Sequence, residues 1–310
     1  MRDAFIRTLT EMAARDPRVL LITGDLGFGV LTHFAARFPR QYLNAGVAEQ
    51  NMTGLATGIA LEGYVVYTYS IANFPTLRCL EQIRNDVCYH HANVKIVAIG
   101  GGFAYGPLGA SHHATEDLAV MRAMPNMTVI APGDLMETSA ATQAVFEFPG
   151  PCYLRLGRGG ESQIHAGVID FRIGRAVTLF AGDDVVLIST GGILGNAHAA
   201  CQRLRALGMD VGLISMHTLK PLDTTAVIRA AHQARLIVTI EEHSIYGGLG
   251  SAIAEMLAEH PHPRARLKRI GLPSAFPPVV GDQEYLRHLY GLSVEAIADT
   301  VQKESACSAR

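Results

Sequence analysis

The stretch YLNAGVAEQNMTGLATGIALEG, Tyr42 to Gly63, places one carboxylate, that of Glu49, in the first turn of an otherwise almost uncharged helix. Its apolar spacing predicts a helix over about 47–62, with Asn44 as the N-cap. Glycine and alanine recur on the remaining positions, so another backbone can approach this helix closely. We therefore expect it to cross a second helix, in this chain or in another subunit. The alternative interpretation is that an acid in the first turn of a helix only complements the helix dipole.

The composition is that of a globular protein that can form two domains with real cores. The chain has 310 residues, of which 49% are hydrophobic and 17% are charged. A net charge of −2 leaves no basic surface, so we expect no nucleic-acid partner and no anionic membrane surface as a partner. No apolar run reaches the length of a membrane span, and the first residues predict an amphipathic helix rather than a signal peptide. We therefore expect a cytoplasmic protein.

The cysteines give a second indication of compartment and chemistry. There are five, scattered along the chain and never spaced CxxC. An odd, scattered set indicates neither a disulfide framework nor a zinc site. We interpret them as reduced thiols.

Short β-rich runs, such as Val19 to Asp25, alternate with helical stretches along the chain. This alternation favours parallel sheets covered by helices on both faces. We predict an α/β fold of two successive three-layer domains with mostly parallel sheets. They occupy residues 1–163 and 184–310, joined by a linker with a short hairpin at 164–183.

The loop GGGFAYGPLGASHHATED, Gly100 to Asp117, follows a predicted strand, and ligands of open parallel sheets bind beyond the carboxyl ends of strands. Its glycines let the backbone approach a ligand, and His112 and His113 can move protons or bind an anion. Alone, these features also fit an irregular loop with one surface and one packed histidine. No set of side chains in this chain is spaced as metal ligands, so we predict no metal site here.

Two further groups of residues are candidates for binding. In CYLRLGRGG, Arg155 and Arg158 lie at the end of a predicted strand. A guanidinium group there can bind a sugar phosphate through two hydrogen bonds. The alternative is that both charges lie in solvent. In TYSIANFPTLRCLEQIRND, Phe74 and Tyr69 offer flat faces for a heterocycle, although composition alone favours a core position for each. Asp25, in TGDLG, is by itself a common turn residue.

The run GVAEQNMTGLATGIA resembles the cofactor-activating helix of thiamine-diphosphate enzymes of the transketolase family. The resemblance implies that Glu49 hydrogen-bonds the ring nitrogen of the aminopyrimidine, and that acid favours the imino tautomer that activates the cofactor. It makes Phe74 the first candidate for stacking on that ring and Tyr69 the second. Asp25 matches a family aspartate near the thiamine.

The same resemblance extends to the substrate loop and to the second domain. His112 matches a histidine that contacts the sugar substrate, and Arg158 matches a phosphate-binding arginine, so Arg158 is favoured over Arg155. Two family residues that read the substrate are replaced here by Leu108 and Gly100. EEHSIYGGLGSAIAE and LKPLD are similar to the family's C-terminal domain, which binds no cofactor and packs at the dimer interface.

The family holds the diphosphate through Mg²⁺ with a GDG motif and a spaced asparagine, and no GDG occurs in these 310 residues. The resemblance therefore implies the carboxy-terminal subunit of a split transketolase. A separate N-terminal subunit with the GDG motif is expected to hold the Mg²⁺ and to share the active site, in an α2β2 assembly.

The expected reaction is transfer of a two-carbon ketol unit from a ketose or ketose phosphate to an aldose. Alternatives with related chemistry are the β subunit of a 2-oxo-acid dehydrogenase and an enzyme like deoxyxylulose-phosphate synthase. A non-catalytic scaffold subunit is the alternative from another class. The combination of Glu49, His112 and Arg158 favours the transketolase, because a scaffold needs none of them.

Overall fold

The computed structural model describes residues 1–260 and 264–307, and these form two sheets flanked by helices. The strands are β1 Val19–Thr23, β2 Tyr42–Asn44, β3 Val65–Ile71, β4 Val94–Ile99, β5 Thr128–Ile130, β6 Cys152–Leu156, β7 Val177–Phe180, β8 Val185–Thr190, β9 Val211–Ser215, β10 Thr218–Lys220, β11 Leu236–Ser244 and β12 Arg266–Leu272. The helices are α1 Arg2–Arg15, α2 Thr32–Arg37, α3 Glu49–Leu61, α4 Phe74–Leu77, α5 Leu80–Gln82, α6 Asp117–Ala123, α7 Leu135–Glu147, α8 Leu194–Ala206, α9 Thr224–Gln233, α10 Leu249–Glu259, α11 Gln283–Leu289 and α12 Val294–Cys307. A π-helix follows α5 at Ile83–Cys88, and short 3₁₀ turns lie at Gly106–Leu108 and Gly191–Ile193.

The first sheet has the strand order β10-β5-β6-β4-β3-β1-β2. Its strands run parallel except β10, which pairs antiparallel with β5. Every residue of β1, β4 and β6 is buried, as expected for parallel strands with helices on both faces. The predicted fold class is confirmed. Strand β10 lies beyond the predicted boundary at residue 184, so the second half of the chain completes the sheet of the first half.

The second sheet has the order β12-β11-β8-β9-β7, with β7 antiparallel at one edge. Strand β7 lies inside the predicted linker 164–183. In the same stretch, where a short hairpin is predicted, a single bridge joins Arg172 to Arg175. The later part of this stretch therefore belongs to the second sheet.

One cluster of buried hydrophobic residues spans the two halves. Ile96 and Val129 of the first sheet belong to the same cluster of buried residues as Ile188, Ile214 and Met216 of the second half. Packing of this kind holds the halves in a fixed arrangement, because displacing one would expose apolar surface of both.

The predicted N-cap of α3 is wrong. The helix begins at Glu49, the capping position is Ala48, and no side chain caps it. Asn44 is the last residue of β2, where it pairs with Thr23 of β1. Its amide donates to the Asp25 carboxylate and accepts from the Asp25 backbone N–H, so it is used in the turn after β1.

The sequence also favours one continuous helix from about Phe74 to His90, and this prediction is wrong in part. The helical path is interrupted after Leu77, because Cys79 has non-helical dihedral angles of −107° and 12°. The chain then continues as α5 and the π-helix. This break places Arg78 at the end of a short turn that begins with Phe74.

The structure bears on two predictions from composition, which concern membrane-spanning helices and the state of the cysteines. Within the two described ranges, no helix is both long enough and apolar enough to cross a membrane. All five cysteines are free thiols, and four of them are buried.

His217 lies at the junction of the two sheets, immediately before β10. It is fully buried, its ring stacks on Phe171 at 4.0 Å, and its backbone carbonyl accepts from the Ala131 N–H. Burial lowers the pKa of His217 to about 4, because a charged imidazole would lose its hydration there.

We expect the free energy of unfolding to fall by roughly 3 kcal/mol between pH 6.5 and pH 4 because of His217. The folded pKa lies below the unfolded value, so this stabilisation is present above pH 6.5 and is lost as the pH falls. Urea unfolding at several pH values measures it, and His217→Phe should flatten that part of the pH profile. His33→Phe, at an exposed histidine, is the control. An equal pH slope for wild type and His217→Phe would contradict the assignment.

Candidate active site

The candidate site lies at the carboxyl edge of the first sheet. Parallel strands β1, β3, β4 and β6 all end at this edge. Helix α3 begins there, and a Cβ added at Gly24, just after β1, would lie 3.5 Å from Cγ of Glu49. The Glu49 side chain therefore lies in van der Waals range of the chain at the end of β1.

Glu49 is a buried carboxylate that has one cationic partner among the residues that the structure describes. The residue is 5% exposed, and its Oε1 accepts a hydrogen bond of 3.1 Å from Nη1 of Arg78. Burying a carboxylate is costly unless a donor satisfies it, which is the contribution of Arg78 here. Arg78 was not singled out from the sequence, although its place four residues after Phe74 was an available signal.

Phe74 and His112 lie together on the other side of Arg78. The Arg78 guanidinium carbon is 4.1 Å from the centroid of the Phe74 ring, which is a cation–π contact. The Phe74 ring in turn meets the His112 ring edge-on, with centroids 5.1 Å apart. Both rings are partly exposed. The structure thus brings Glu49, Phe74 and His112 into one row of contacting side chains.

Tyr105 extends this row to Arg158. Its ring centroid is 6.5 Å from that of His112, and the exposed Arg158 guanidinium lies 5.0 Å from the Tyr105 centroid. Gly100 has a positive φ of 87°, and a Cβ added there would lie 2.2 Å from the Tyr105 ring. Tyr105 therefore fills the space beside Gly100, while Leu108 is exposed. Tyr105 is a second residue of the row that was not identified from the sequence.

Three further residues that the sequence suggested for the site lie outside this row of contacting side chains. Tyr69 is buried and stacks on Phe5 of α1, and this burial raises its pKa. His113 is buried, with Nε2 at 3.2 Å from the carbonyl oxygen of Gly106. Asp25 has a positive φ of 58° and engages Asn44, so its carboxylate helps to hold the turn after β1.

Arg155 is enclosed between the two halves of the chain. It is 4% exposed, and its Nε donates to Asp117 at 2.7 Å. Its Nη2 donates to the carbonyl oxygens of Ala114 and Glu242. These contacts support a structural role for Arg155 and leave Arg158 as the exposed cation at the end of this strand.

The second half of the chain also anchors the glycine-rich loop. The Glu242 carboxylate accepts from the Phe103 backbone N–H at 2.7 Å and from Nε and Nη2 of Arg287 in α11. Gln283 donates to the same carboxylate. The loop that carries His112 is therefore held by a buried ion pair from the second sheet and α11.

The space between Glu49 and Phe74 suits a flat heterocycle. An aminopyrimidine ring can donate a hydrogen bond to a buried carboxylate while its face stacks on an aromatic ring. The planar guanidinium of Arg78 already makes both contacts, so the space admits a flat hydrogen-bonding group. Across residues 1–260 and 264–307, no three His, Cys, Asp or Glu side chains are grouped so that they could hold a metal ion.

Comparison with known protein families finds two matches that cover most of the chain. Residues 1–160 match the pyrimidine-binding domain of transketolase, and residues 174–297 match the transketolase C-terminal domain. The first match contains the whole row of side chains from Glu49 to Arg158.

Individual relatives are similar over nearly their full length. One of the subunits of apulose-4-phosphate transketolase from Phocaeicola vulgatus is 36% identical over 96% of this chain and 95% of the relative. The 6-deoxy-6-sulfo-D-fructose transketolase subunit SqwH of a Clostridium species is 35% identical over 96% and 92%. A solved structure described as a split gene transketolase, inactive β4 tetramer, has a TM-score of 0.87 and 36% identity over 97% of this chain and 96% of that one.

We expect Arg155→Ala to lower the free energy of unfolding by about 3–5 kcal/mol, because it leaves Asp117 buried without its charged partner. Arg158→Ala, three residues later and exposed, is the matched control and should change stability by less than about 1 kcal/mol. Urea unfolding of both variants measures the difference. Equal effects of the two substitutions would contradict the assignment of Arg155 to the protein interior.

Proposed function

The chain belongs to the transketolase family, and from that membership we propose roles for its residues in two-carbon ketol transfer. It is a transferase, the β-type subunit of a split transketolase that depends on thiamine diphosphate. One observation carries the proposal for this site. A buried carboxylate, Glu49, and a partly exposed aromatic face, Phe74, lie on either side of a flat cationic group.

Bound thiamine diphosphate supplies the nucleophilic carbon that accepts the ketol unit from a ketose and passes it to an aldose. Glu49 would hold a proton at the ring nitrogen of the aminopyrimidine, and its burial keeps that proton from exchanging with water. Phe74 would orient the ring by stacking. Tyr69, buried against Phe5, would act only by supporting the strand before Phe74.

The substrate side of the site is formed by the glycine-rich loop and the end of β6. His112, partly exposed beside Phe74, would bind a sugar oxygen and move a proton at that atom. Arg158 would bind an anionic group of the sugar. His113 would position the loop from its buried place against Phe103, where the two rings meet edge-on. We propose a sugar or sugar phosphate as the substrate.

We also propose an assembly with a separate diphosphate-binding subunit that carries the GDG motif and holds Mg²⁺. Two relatives that this chain matches along nearly their whole length are themselves named as transketolase subunits, which supports this proposal. The solved relative is described as an inactive β4 tetramer. In the described part of the chain, no atom lies within 4 Å of a Cβ added at Gly54 or Gly58, so that face of α3 is open to a second copy in an α2β2 assembly. We propose a cytoplasmic location, which the free thiols support.

We expect thiamine diphosphate with Mg²⁺ to bind tightly to this chain mixed with its partner subunit, and not to this chain alone. The diphosphate contacts come from the partner and the ring contacts from Glu49 and Phe74. Isothermal titration measures the binding. In the mixture, Glu49→Gln should lower turnover of ketose donors at least about 100-fold, because an amide cannot hold the ring-nitrogen proton as a carboxylate does.

Glu62→Gln, at the exposed end of the same helix, is the control and should leave turnover unchanged. Tight binding by the isolated chain would contradict the shared site. A mixture that binds no cofactor would favour the non-catalytic scaffold instead.

We expect Arg158→Ala to raise KM about 10- to 100-fold for a phosphorylated ketose donor, because a charged hydrogen bond is lost. KM for the same ketose without phosphate should change little, and so should the Kd for thiamine diphosphate. Steady-state kinetics with the paired donors measures the effect, with Arg172→Ala as a control at another exposed arginine. An equal change for both donors would show that Arg158 does not bind the phosphate.

A further inference from the structure

Arg78 occupies the space between the two side chains that we propose bind the aminopyrimidine ring. Its Nη1 lies 3.1 Å from Oε1 of Glu49, and its guanidinium carbon lies 4.1 Å from the centroid of Phe74. One flat cation therefore donates a hydrogen bond to the carboxylate and stacks on the aromatic face at the same time. These are the two contacts proposed for the cofactor ring.

Local structure places Arg78 there. Phe74 and Arg78 are four residues apart in a single helical turn, so their side chains lie on the same side of it. Glu49 meets them from the first position of α3. The break in the helical path at Cys79 ends the turn just after Arg78.

The aminopyrimidine ring and the guanidinium cannot be bound in this space together. A ring that touches both the Glu49 carboxylate and the Phe74 face must fill the volume that the guanidinium fills now. We propose that Arg78 is a further residue of the cofactor site. It holds Glu49 and Phe74 in place when the cofactor is absent and swings out when the ring enters. This inference rests on the proposed function.

The contacts of Arg78 with Glu49 and Phe74 are weak enough for the cofactor ring to replace the guanidinium. The Arg78 side chain is 51% exposed, whereas that of Glu49 is 6% exposed. Ion pairs and cation–π contacts of exposed arginines are weak, so the guanidinium can leave at modest cost. In the part of the chain that the structure describes, Arg78 is the one hydrogen-bond donor to the Glu49 carboxylate. Removing it leaves the buried carboxylate without a partner until the cofactor arrives.

Removal of Arg78 should therefore tighten cofactor binding. We expect Arg78→Ala to lower the Kd for thiamine diphosphate roughly 5- to 30-fold, which corresponds to about 1–2 kcal/mol. Arg78→Gln, which keeps part of the side-chain length without the charge, should lower it by a smaller factor. Isothermal titration of thiamine diphosphate with Mg²⁺ into the complex with the partner subunit measures these values. Size-exclusion chromatography and thermal unfolding confirm that each variant folds and assembles.

Arg84→Ala is the matched control, because Arg84 is exposed nearby and donates to Asn85 rather than to the site. Its Kd should equal that of the wild type. An unchanged or weaker Kd for both Arg78 variants, with normal binding by wild type and Arg84→Ala, would overturn this inference and leave the proposed function standing. If neither the wild-type complex nor any of the variants binds the cofactor, the proposed function fails and the inference fails with it.

Discussion

The buried cation Arg155 joins parts of the chain that are far apart in sequence. It extends from β6 to the Asp117 carboxylate at the start of α6, to the carbonyl of Ala114 in the glycine-rich loop, and to the carbonyl of Glu242 in β11. Burying a charge is costly unless it is paired and hydrogen-bonded, and the contacts that satisfy Arg155 bind these four segments to one another. The second half of the chain thereby positions the loop of the first half without contributing a side chain to the row of site residues.

The site itself depends on a second buried charge, Glu49. Its carboxylate is paired with a half-exposed guanidinium, whereas Arg155 is paired with groups that are as buried as itself. Solvent competes for the exposed guanidinium of the first pair, whereas both members of the second pair are shielded from water. The exposed Arg78 lies where we propose that a ligand binds, whereas the buried Arg155 holds the segments around that site together. This difference in exposure explains why two arginines of the first domain, Arg78 and Arg155, take different roles.

Much of the fold could be predicted because buried parallel strands and amphipathic helices have strong periods. The sequence predicts a helix over about 135–147 and a strand over 152–156, and α7 and β6 have these bounds. Short elements such as α2, β10 and α11 were not predicted, because a segment of three to seven residues carries too little periodic signal. Of the site, Glu49, Phe74 and His112 were selected because they match a family pattern, and the structure places them in one row with Arg78 between Glu49 and Phe74. Their binding roles stay predictions.

The sequence by itself determined the α/β class, the family and the carboxylate at the head of α3, because these follow from residue order and local periodicity. Only the tertiary structure decided which candidates lie in the row of side chains from Glu49 to Arg158. Tyr69 and Phe74 are five residues apart, yet one is enclosed beneath α1 and the other lies beside His112. Arg155 and Arg158 are three residues apart, yet Arg155 is buried and Arg158 is exposed. Burial, and contacts such as those of Arg78 and Tyr105, depend on residues distant in the chain, and no local pattern encodes them.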